Sequence, residues 1–217
     1  MSQYGRREYW DERYTRDSQP FEWYQKYTAL KPLLDQAFPD KNGPILMVGC
    51  GNSRMTEDMN DDGFSQIQNI DVSAVVIDAM RKKCESRQKI TWTAMDVMQL
   101  SFPDQQFSGV FDKGTMDSLL CGDNSTANVH KMLSEISRVL KPDGVFVCVS
   151  YGQPSNRMNY LEPPEFGWSV TVHTVAKPQT GVSIPSDNAD VHHVYICRKG
   201  VAAPPPAESQ AAPQTSA

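Results

Sequence analysis

From residue 45 onward, short apolar runs alternate with segments of helical period, and this alternation is what most constrains the fold. The run Ile45-Leu46-Met47-Val48 contains no polar residue, as is typical of a parallel strand covered on both faces. Strands that alternate with helices pair in parallel, because each crossover helix returns the chain to the same end of the sheet. The pattern predicts an α/β fold, a doubly wound sheet with helices around it.

Seven apolar runs fit the strands of such a sheet. They are residues 45–48, 67–70, 90–94, 107–111, 145–149, 168–175 and 191–197. The last two are expected to form an antiparallel pair joined by a polar loop. A helical pattern over 129–140 stops at Lys141-Pro142-Asp143-Gly144, which is a turn signal. We therefore predict a seven-stranded sheet whose last strand is antiparallel.

The remaining segments define the expected domain organisation. Two helical patterns rich in aromatic residues, 6–14 and 24–37, precede the first strand. They predict that residues 1–40 are a helical cap, covering an open edge of the sheet, within the same domain as a core of residues 41–200. Residues 201–217 are dominated by Ala and Pro and contain no aromatic residue, which predicts a disordered tail.

Composition narrows the classes of partner. Lys and Arg number 21 against 26 Asp and Glu, and the net charge of −5 argues against a nucleic-acid partner. No stretch approaches the roughly 18 apolar residues of a membrane span, and the start lacks the apolar run of a secretory signal. Five cysteines and four histidines show no disulfide or metal-site spacing. We expect a cytoplasmic protein that uses no metal.

Two glycines follow the first strand, at the edge where wound sheets bind ligands. Gly49 and Gly51 flank a tight turn in which glycine tolerates positive φ and lets backbone amides approach a ligand. The NAD fingerprint needs a third glycine where this chain has Arg54, so an NAD oxidoreductase is a weaker alternative. Ser53 does not stand between the glycines, as the nucleophile of a hydrolase elbow would. A turn that binds no ligand is the other alternative.

Acidic residues end the next two strands. Asp71 lies 22 residues after Gly49, where a carboxylate can accept both hydroxyls of a ribose. Its alternative role is to cap the helix that begins near Ser73. Asp96 is placed to accept from an exocyclic amine while the Val97 amide donates to the ring, and the alternative is a solvated turn.

Charges around Gly114 and aromatic residues before the sheet complete the candidates. Asp112, Lys113 and Asp117 lie at the mouth of the expected site, and a charged loop with a salt bridge is the alternative. An aromatic face attracts a desolvated cation, so the rings suit a cationic cofactor, with plain core packing as the alternative. These aromatic residues are Tyr9, Trp10, Tyr14, Trp23 and Tyr24.

The glycine turn, the two strand-end acids and the antiparallel end of the sheet resemble the seven-strand S-adenosylmethionine-dependent methyltransferases over about residues 45–198. A narrower set of motifs resembles the lysine methyltransferases of translation elongation factor 1-alpha. These motifs are Tyr9-Trp10-Asp11-Glu12-Arg13-Tyr14, Trp23-Tyr24, Val48-Gly49-Cys50-Gly51-Asn52-Ser53, Met95-Asp96-Val97 and Lys113-Gly114-Thr115-Met116-Asp117.

The resemblance implies a Rossmann-like methyltransferase fold and the cofactor S-adenosyl-L-methionine. It also implies a protein substrate similar to elongation factor 1-alpha. The implied cofactor residues are Trp10, Tyr14 and Trp23 at the methionine end, Gly49 and Gly51 in the turn, Asp71 with Val72 at the ribose, Asp96 with Val97 at the adenine, and Lys113 lining the pocket.

Methyl transfer to lysine needs no covalent residue, but the acceptor must lose a proton because its pKa begins near ~10.4. A nearby carboxylate or a water path could assist. Asp112 and Asp117 are candidates for this assistance, and no catalytic residue is assigned. A small-molecule methyltransferase and a catalytically silent methyltransferase-like scaffold remain alternatives, although the retained glycines, Asp71 and Asp96 argue against the silent scaffold.

Overall fold

The computed structural model describes residues 3–178 and 190–200. Seven strands form one sheet: β1 (Ile45–Val48), β2 (Ile67–Asp71), β3 (Ile90–Ala94), β4 (Phe107–Lys113), β5 (Leu140–Ser150), β6 (Trp168–Ala176) and β7 (Val191–Lys199). The helices are α1 (Arg7–Arg16), α2 (Tyr27–Ala37), α3 (Met55–Asp61), α4 (Ala74–Lys83), α5 (Thr115–Leu120), α6 (Ser125–Val139) and α7 (Met158–Leu161). Short 3-10 turns lie at Pro154–Asn156 and Pro164–Phe166. The predicted tail, 201–217, lies outside the described residues, and the division at residue 40 stays a prediction.

The strand order is β3-β2-β1-β4-β5-β7-β6. The first five strands pair in parallel, and β7 runs antiparallel to both of its neighbours. This confirms the doubly wound seven-stranded sheet and its antiparallel end. The order reverses between β1 and β4, which is where such sheets open a crevice for a ligand.

Alternate residues of β1 enter two separate cores. Ile45 and Met47 pack under α2, α3 and α4, whereas Leu46 and Val48 pack under α5 and α6. All four are buried, as a strand covered on both faces requires. Helix α2 therefore covers one face of the sheet. The prediction that the N-terminal helices cover an open edge is wrong for α2 and stays a prediction for α1.

Two predicted boundaries also differ from the structure. Helix α2 begins at Tyr27 rather than residue 24, because Tyr24 has a left-handed backbone with φ of 61°. Strand β5 begins at Leu140, and the predicted turn 141–144 lies inside it as an irregularity where the register with β4 shifts. Asp143 has φ of 63° at this point, so the chain does turn locally without leaving the sheet.

Candidate active site

A cavity of about 580 Å³ opens at the carboxyl ends of β1 to β4, beside the point where the strand order reverses. This volume lies within the usual range for small-molecule sites. The structure brings all ten predicted site residues to its wall. They are Trp10, Tyr14, Trp23, Gly49, Gly51, Asp71, Val72, Asp96, Val97 and Lys113.

The turn after β1 needs glycine at two positions. Gly49 and Gly51 have φ of 57° and 53°, which side-chain-bearing residues rarely adopt. A Cβ at Gly49 would collide with Thr115 Oγ1, and one at Gly51 would lie 2.8 Å from Tyr14 Oη. The turn therefore packs too closely against α5 and Tyr14 for a side chain at either position.

Asp71 is the last residue of β2, and its buried carboxylate links the two turns at the cavity. Oδ2 accepts from Gly51 N at 2.9 Å, and Oδ1 accepts from Ser73 N at 3.0 Å. Ser73 itself caps α4 through its side chain. Burial raises the pKa of Asp71 to about 6, although both amide hydrogen bonds favour the ionised form. Asp71 thus holds the entry to the helix and also lines the cavity.

The loops that follow β2 and β3 contribute one polar and two apolar side chains. Asp96 is exposed, and its Oδ1 accepts from Met98 N at 2.8 Å, which fixes the loop after β3. Val97 is buried in the core under α5 and α6, while Val72 is half-buried at the end of β2. A flat aromatic ring inserted here would meet apolar walls and one carboxylate.

The N-terminal aromatic residues form a wall of the cavity. Trp10 stacks on Tyr14 with ring centroids 5.9 Å apart and on Tyr4 at the same distance, and its Nε1 donates to Tyr4 O at 2.7 Å. Trp23 meets Trp10 edge-on at 6.3 Å. Helix α1 has no buried residue, so Trp10 is not a core side chain. Tyr14 alone of the α1 rings also packs against the core.

Lys113 is buried in an ion pair that the sequence analysis missed. Its side chain is 6% exposed, and Nζ donates to Glu22 Oε2 at 3.0 Å and to Trp23 O at 2.8 Å. Burial lowers the pKa of Lys113, while the Glu22 carboxylate opposes that shift. Glu22 also accepts from Ser53 Oγ and Arg54 N. No sequence pattern signals Glu22, because it lies 91 residues before its partner.

The two aspartates that were candidates for proton removal have structural duties instead. Asp112 is fully buried, accepts from Thr115 N and Met116 N at the start of α5, and does not line the cavity. Asp112 is therefore not placed to take a proton from an acceptor. Asp117 lines the cavity, but Tyr24 Oη, Ser150 Oγ and Arg157 already donate to it.

Two further observations concern metal sites and membrane-spanning helices. Within the part of the chain that the structure describes, no three His, Cys, Asp or Glu side chains are grouped so as to hold a metal ion. None of the helices in residues 3–178 and 190–200 is long and apolar enough to cross a membrane.

Comparisons with known proteins identify the family. A methyltransferase-domain family model matches residues 46–148. The chain is 33% identical over 203 residues to "EEF1A lysine methyltransferase 4" of Bos taurus, and the match covers 89% of this chain and 75% of that protein. It is 36% identical over 188 residues to "eEF1A lysine and N-terminal methyltransferase" of Mus musculus, covering 83% of this chain but 26% of that longer protein.

Solved structures agree on the fold. The N-methyltransferase NodS from Bradyrhizobium japonicum, solved with S-adenosyl-L-homocysteine, superposes with a TM-score of 0.60 at 17% identity. The match covers 78% of this chain and 84% of NodS. With the glycine turn, the strand-end carboxylate and the cavity in place, the chain belongs to the eEF1A lysine methyltransferase family and is an S-adenosylmethionine-dependent methyltransferase.

Proposed function

We propose that this enzyme methylates lysine side chains of a protein substrate, translation elongation factor 1-alpha or a close equivalent. The observation that carries the proposal is the similarity to the bovine relative, which extends over most of both chains and whose name states that substrate. The mouse relative is named for the same substrate. We also propose a cytoplasmic location, because a translation elongation factor acts there.

The residues at the carboxyl ends of β1 to β3 fit the nucleoside part of S-adenosylmethionine. Gly49 and Gly51 line the cavity and let the turn pack closely against Thr115 and Tyr14. Each oxygen of Asp71 accepts one backbone amide and keeps a lone pair that suits a ribose hydroxyl. We assign Asp71 and Val72 to the ribose, and Asp96 and Val97 to the adenine.

The aromatic wall fits the methionine end. A sulfonium is a cation, and an aromatic face attracts a desolvated cation by about 0.5 to 2 kcal/mol. We therefore assign Trp10, Tyr14 and Trp23 to this end of the cofactor. Lys113 is proposed to act through Trp23, because its ammonium donates to the Trp23 carbonyl and thereby holds that segment against β4.

S-adenosylmethionine supplies a methyl group on a positively charged sulfur, and a neutral amine nitrogen bonds to that methyl as the carbon–sulfur bond breaks. The chain has to hold the amine in line and exclude water. The aromatic wall serves the second requirement. Three carboxylates line the cavity among the described residues, Asp71, Asp96 and Asp117, and the first two belong to the nucleoside end. We therefore propose that desolvation lowers the pKa of the acceptor amine and that its proton leaves to bulk water.

The test begins with calorimetric titration of the protein with S-adenosylmethionine, with NAD as the control. Labelled methyl transfer onto elongation factor 1-alpha follows, and lysine-to-arginine variants of that factor locate the modified residue. We expect binding of S-adenosylmethionine alone and loss of label in a single lysine variant. Transfer only to small amines would replace the proposal with a small-molecule methyltransferase. Cofactor binding without transfer to any acceptor would replace it with a silent scaffold.

A further inference from the structure

One end of the cavity is organised by a buried ion pair that is remote from the nucleoside end. Arg157 Nη2 and Nε lie 2.9 Å and 3.2 Å from Asp117 Oδ1. The two side chains are 7% and 4% exposed. Removing two charges from water is costly unless every hydrogen-bonding position is used. The groups that donate hydrogen bonds to Asp117 therefore show what this ion pair holds in place.

Asp117 is completely occupied by donors. Besides Arg157, it accepts from Tyr24 Oη at 2.8 Å, Ser150 Oγ at 2.6 Å and Tyr151 N at 3.1 Å. A carboxylate has about four lone-pair positions. No position remains for a proton from an acceptor, so Asp117 acts as a hub that fixes one tyrosine through its hydroxyl and the other through its backbone.

The two tyrosines held by Asp117 are in contact with each other at the cavity wall. The ring centroids of Tyr24 and Tyr151 are 6.2 Å apart, at an interplanar angle of 59°. Tyr151 is 53% exposed, whereas Tyr24 is half-buried with its ring against Gly114. The φ of 61° at Tyr24 is unfavourable for a residue with a side chain, and such conformations concentrate at functional sites.

The buried charges at this end are paired. Arg157 is paired with Asp117, and Lys113 is paired with Glu22. An acceptor amine here would meet no uncompensated carboxylate that stabilises its protonated form. Burial and Asp117 raise the pKa of Tyr24, so its hydroxyl stays protonated. Because that proton is donated to Asp117, the lone pairs of Tyr24 Oη are left to accept another hydrogen bond.

We propose that the acceptor lysine passes along the exposed ring of Tyr151 to reach Tyr24, and that Tyr24 Oη accepts a hydrogen bond from the neutral amine of that lysine. The inference rests on the lysine methyltransferase function proposed above. The hydrogen bond uses an N–H of the amine and leaves the nitrogen lone pair free for the methyl group. Asp117 and Arg157 are positioning residues, because they act only through the two tyrosines.

The kinetic test compares Tyr24→Phe and Tyr151→Ala with a matched control, Tyr27→Phe. Tyr27 Oη also donates to a carboxylate, Asp62, at 2.6 Å, but Tyr27 does not line the cavity. We expect Tyr24→Phe to lower kcat by about 10- to 100-fold, with the affinity for S-adenosylhomocysteine changed less than about twofold. We expect Tyr151→Ala to raise KM for the acceptor about tenfold and Tyr151→Phe to restore it, because the ring and not the hydroxyl forms the entrance.

Unchanged kcat in Tyr24→Phe together with unchanged acceptor KM in Tyr151→Ala would overturn the inference. The inference would also be overturned if Tyr24→Phe lost as much affinity for S-adenosylhomocysteine as it lost in kcat, since such a loss would indicate a general structural role. Tyr151 is half-exposed, so Tyr151→Ala provides a test even if Tyr24→Phe fails to fold.

A binding measurement separates this inference from the proposed function. Nα-acetyl-lysine methylamide is titrated by NMR into the protein saturated with S-adenosylhomocysteine. We expect the wild type and Tyr27→Phe to bind the probe and Tyr151→Ala to bind it at least about fivefold more weakly. If elongation factor 1-alpha is not methylated, the proposed function fails, but this titration still shows whether the lysine probe binds at Tyr151. Equal binding by wild type and Tyr151→Ala, or binding by neither, would overturn the inference.

Discussion

At the residue scale, Asp71 shows how one buried carboxylate serves both the fold and the cavity. It accepts the amides of Gly51 and Ser73, and burial raises its pKa to about 6. The group is therefore largely ionised at pH 7 and becomes protonated as the pH falls through 6. A protonated carboxyl donates one hydrogen bond and has less acceptor capacity.

This titration predicts a pH dependence of cofactor binding. The ionised form of Asp71 is the better acceptor for ribose hydroxyls, so affinity for S-adenosylhomocysteine should fall below pH 6, by at most about tenfold per pH unit. Cys50 and Tyr14 near this carboxylate have raised pKa values and stay neutral over this range, while Asp11 adds negative charge. Calorimetry from pH 7.5 to about pH 5 measures the slope, within the range where carboxylates titrate.

The matched variants assign that slope to one group. Asp71→Asn should bind more weakly at pH 7 and show little slope, and Asp96→Asn should keep the slope of the wild type. A flat profile in the wild type would remove Asp71 from the ribose site.

A second single-residue prediction concerns the charge of the cofactor. Trp10→Ala should weaken binding of S-adenosylmethionine by about 0.5 to 2 kcal/mol more than binding of the neutral S-adenosylhomocysteine, because only the sulfonium is attracted to a ring face. Tyr9→Ala, in the same helix but outside the cavity wall, is the control and should affect both ligands equally and little. Equal losses in Trp10→Ala would mean that the indole contributes only packing.

At the scale of elements, the turn between β1 and α3 carries a prediction about stability. Gly49→Ala combines a left-handed backbone with a collision against Thr115 Oγ1. Gly167→Ala is a matched control, because Gly167 has φ of 66° and no heavy atom within 4 Å of an added Cβ. We expect the control to lose about 1 to 2 kcal/mol of unfolding free energy from backbone strain alone.

We expect Gly49→Ala to lose clearly more than the Gly167 control, measured by urea unfolding. Removing the colliding hydroxyl in Gly49→Ala/Thr115→Ala should recover part of the extra loss, although Thr115→Ala alone costs the hydrogen bond to Val48 O. Equal losses at Gly49 and Gly167 would mean that the turn moves to accommodate a side chain.

Sequence patterns located elements better than they located element ends. All seven strands were predicted because their apolar runs are short and bounded by turn residues. The start of α2 was wrong because Tyr24 is left-handed without being a glycine, which leaves no signal in the sequence. The turn at 141–144 was located correctly, but the sequence does not show that the strand continues through it. The register shift inside β5 is a property of its pairing with β4, which no local pattern contains.

For the site, the strand-end rule was enough to bring Gly49, Gly51, Asp71 and Asp96 together, because it follows from topology alone. Trp10 and Lys113 were candidates from the aromatic cluster and the charged strand end, and family resemblance supplied their specific roles. The ion pairs were missed because their partners are far apart in the chain: 40 residues separate Asp117 from Arg157. Spacing within one element cannot reveal a contact that only the folded sheet creates.

At the scale of the whole molecule, α1 contributes to the cavity wall but adds no buried residue to the core. The buried core consists of the two faces of the sheet with α2 to α7, and α1 contributes no buried residue. Deleting residues 1–16 should therefore lower the melting temperature by only a few degrees. The same deletion should weaken S-adenosylhomocysteine binding more than about tenfold, since it removes Trp10 and Tyr14 from the cavity wall. Thermal melts of the deletion variant measure the change in melting temperature, and calorimetry measures the change in affinity. Loss of cooperative unfolding would show that α1 is needed for the fold.

The position of the first described residues has a practical consequence. Tyr4 and Gly5 line the cavity, and Gly5 lies against the backbone of Gly122 at the end of α5. Additional sequence joined on the N-terminal side of Tyr4 would therefore begin close to the cavity. We expect tagged protein to give a lower kcat than protein from which the N-terminal tag has been cleaved, so assays should use the cleaved protein.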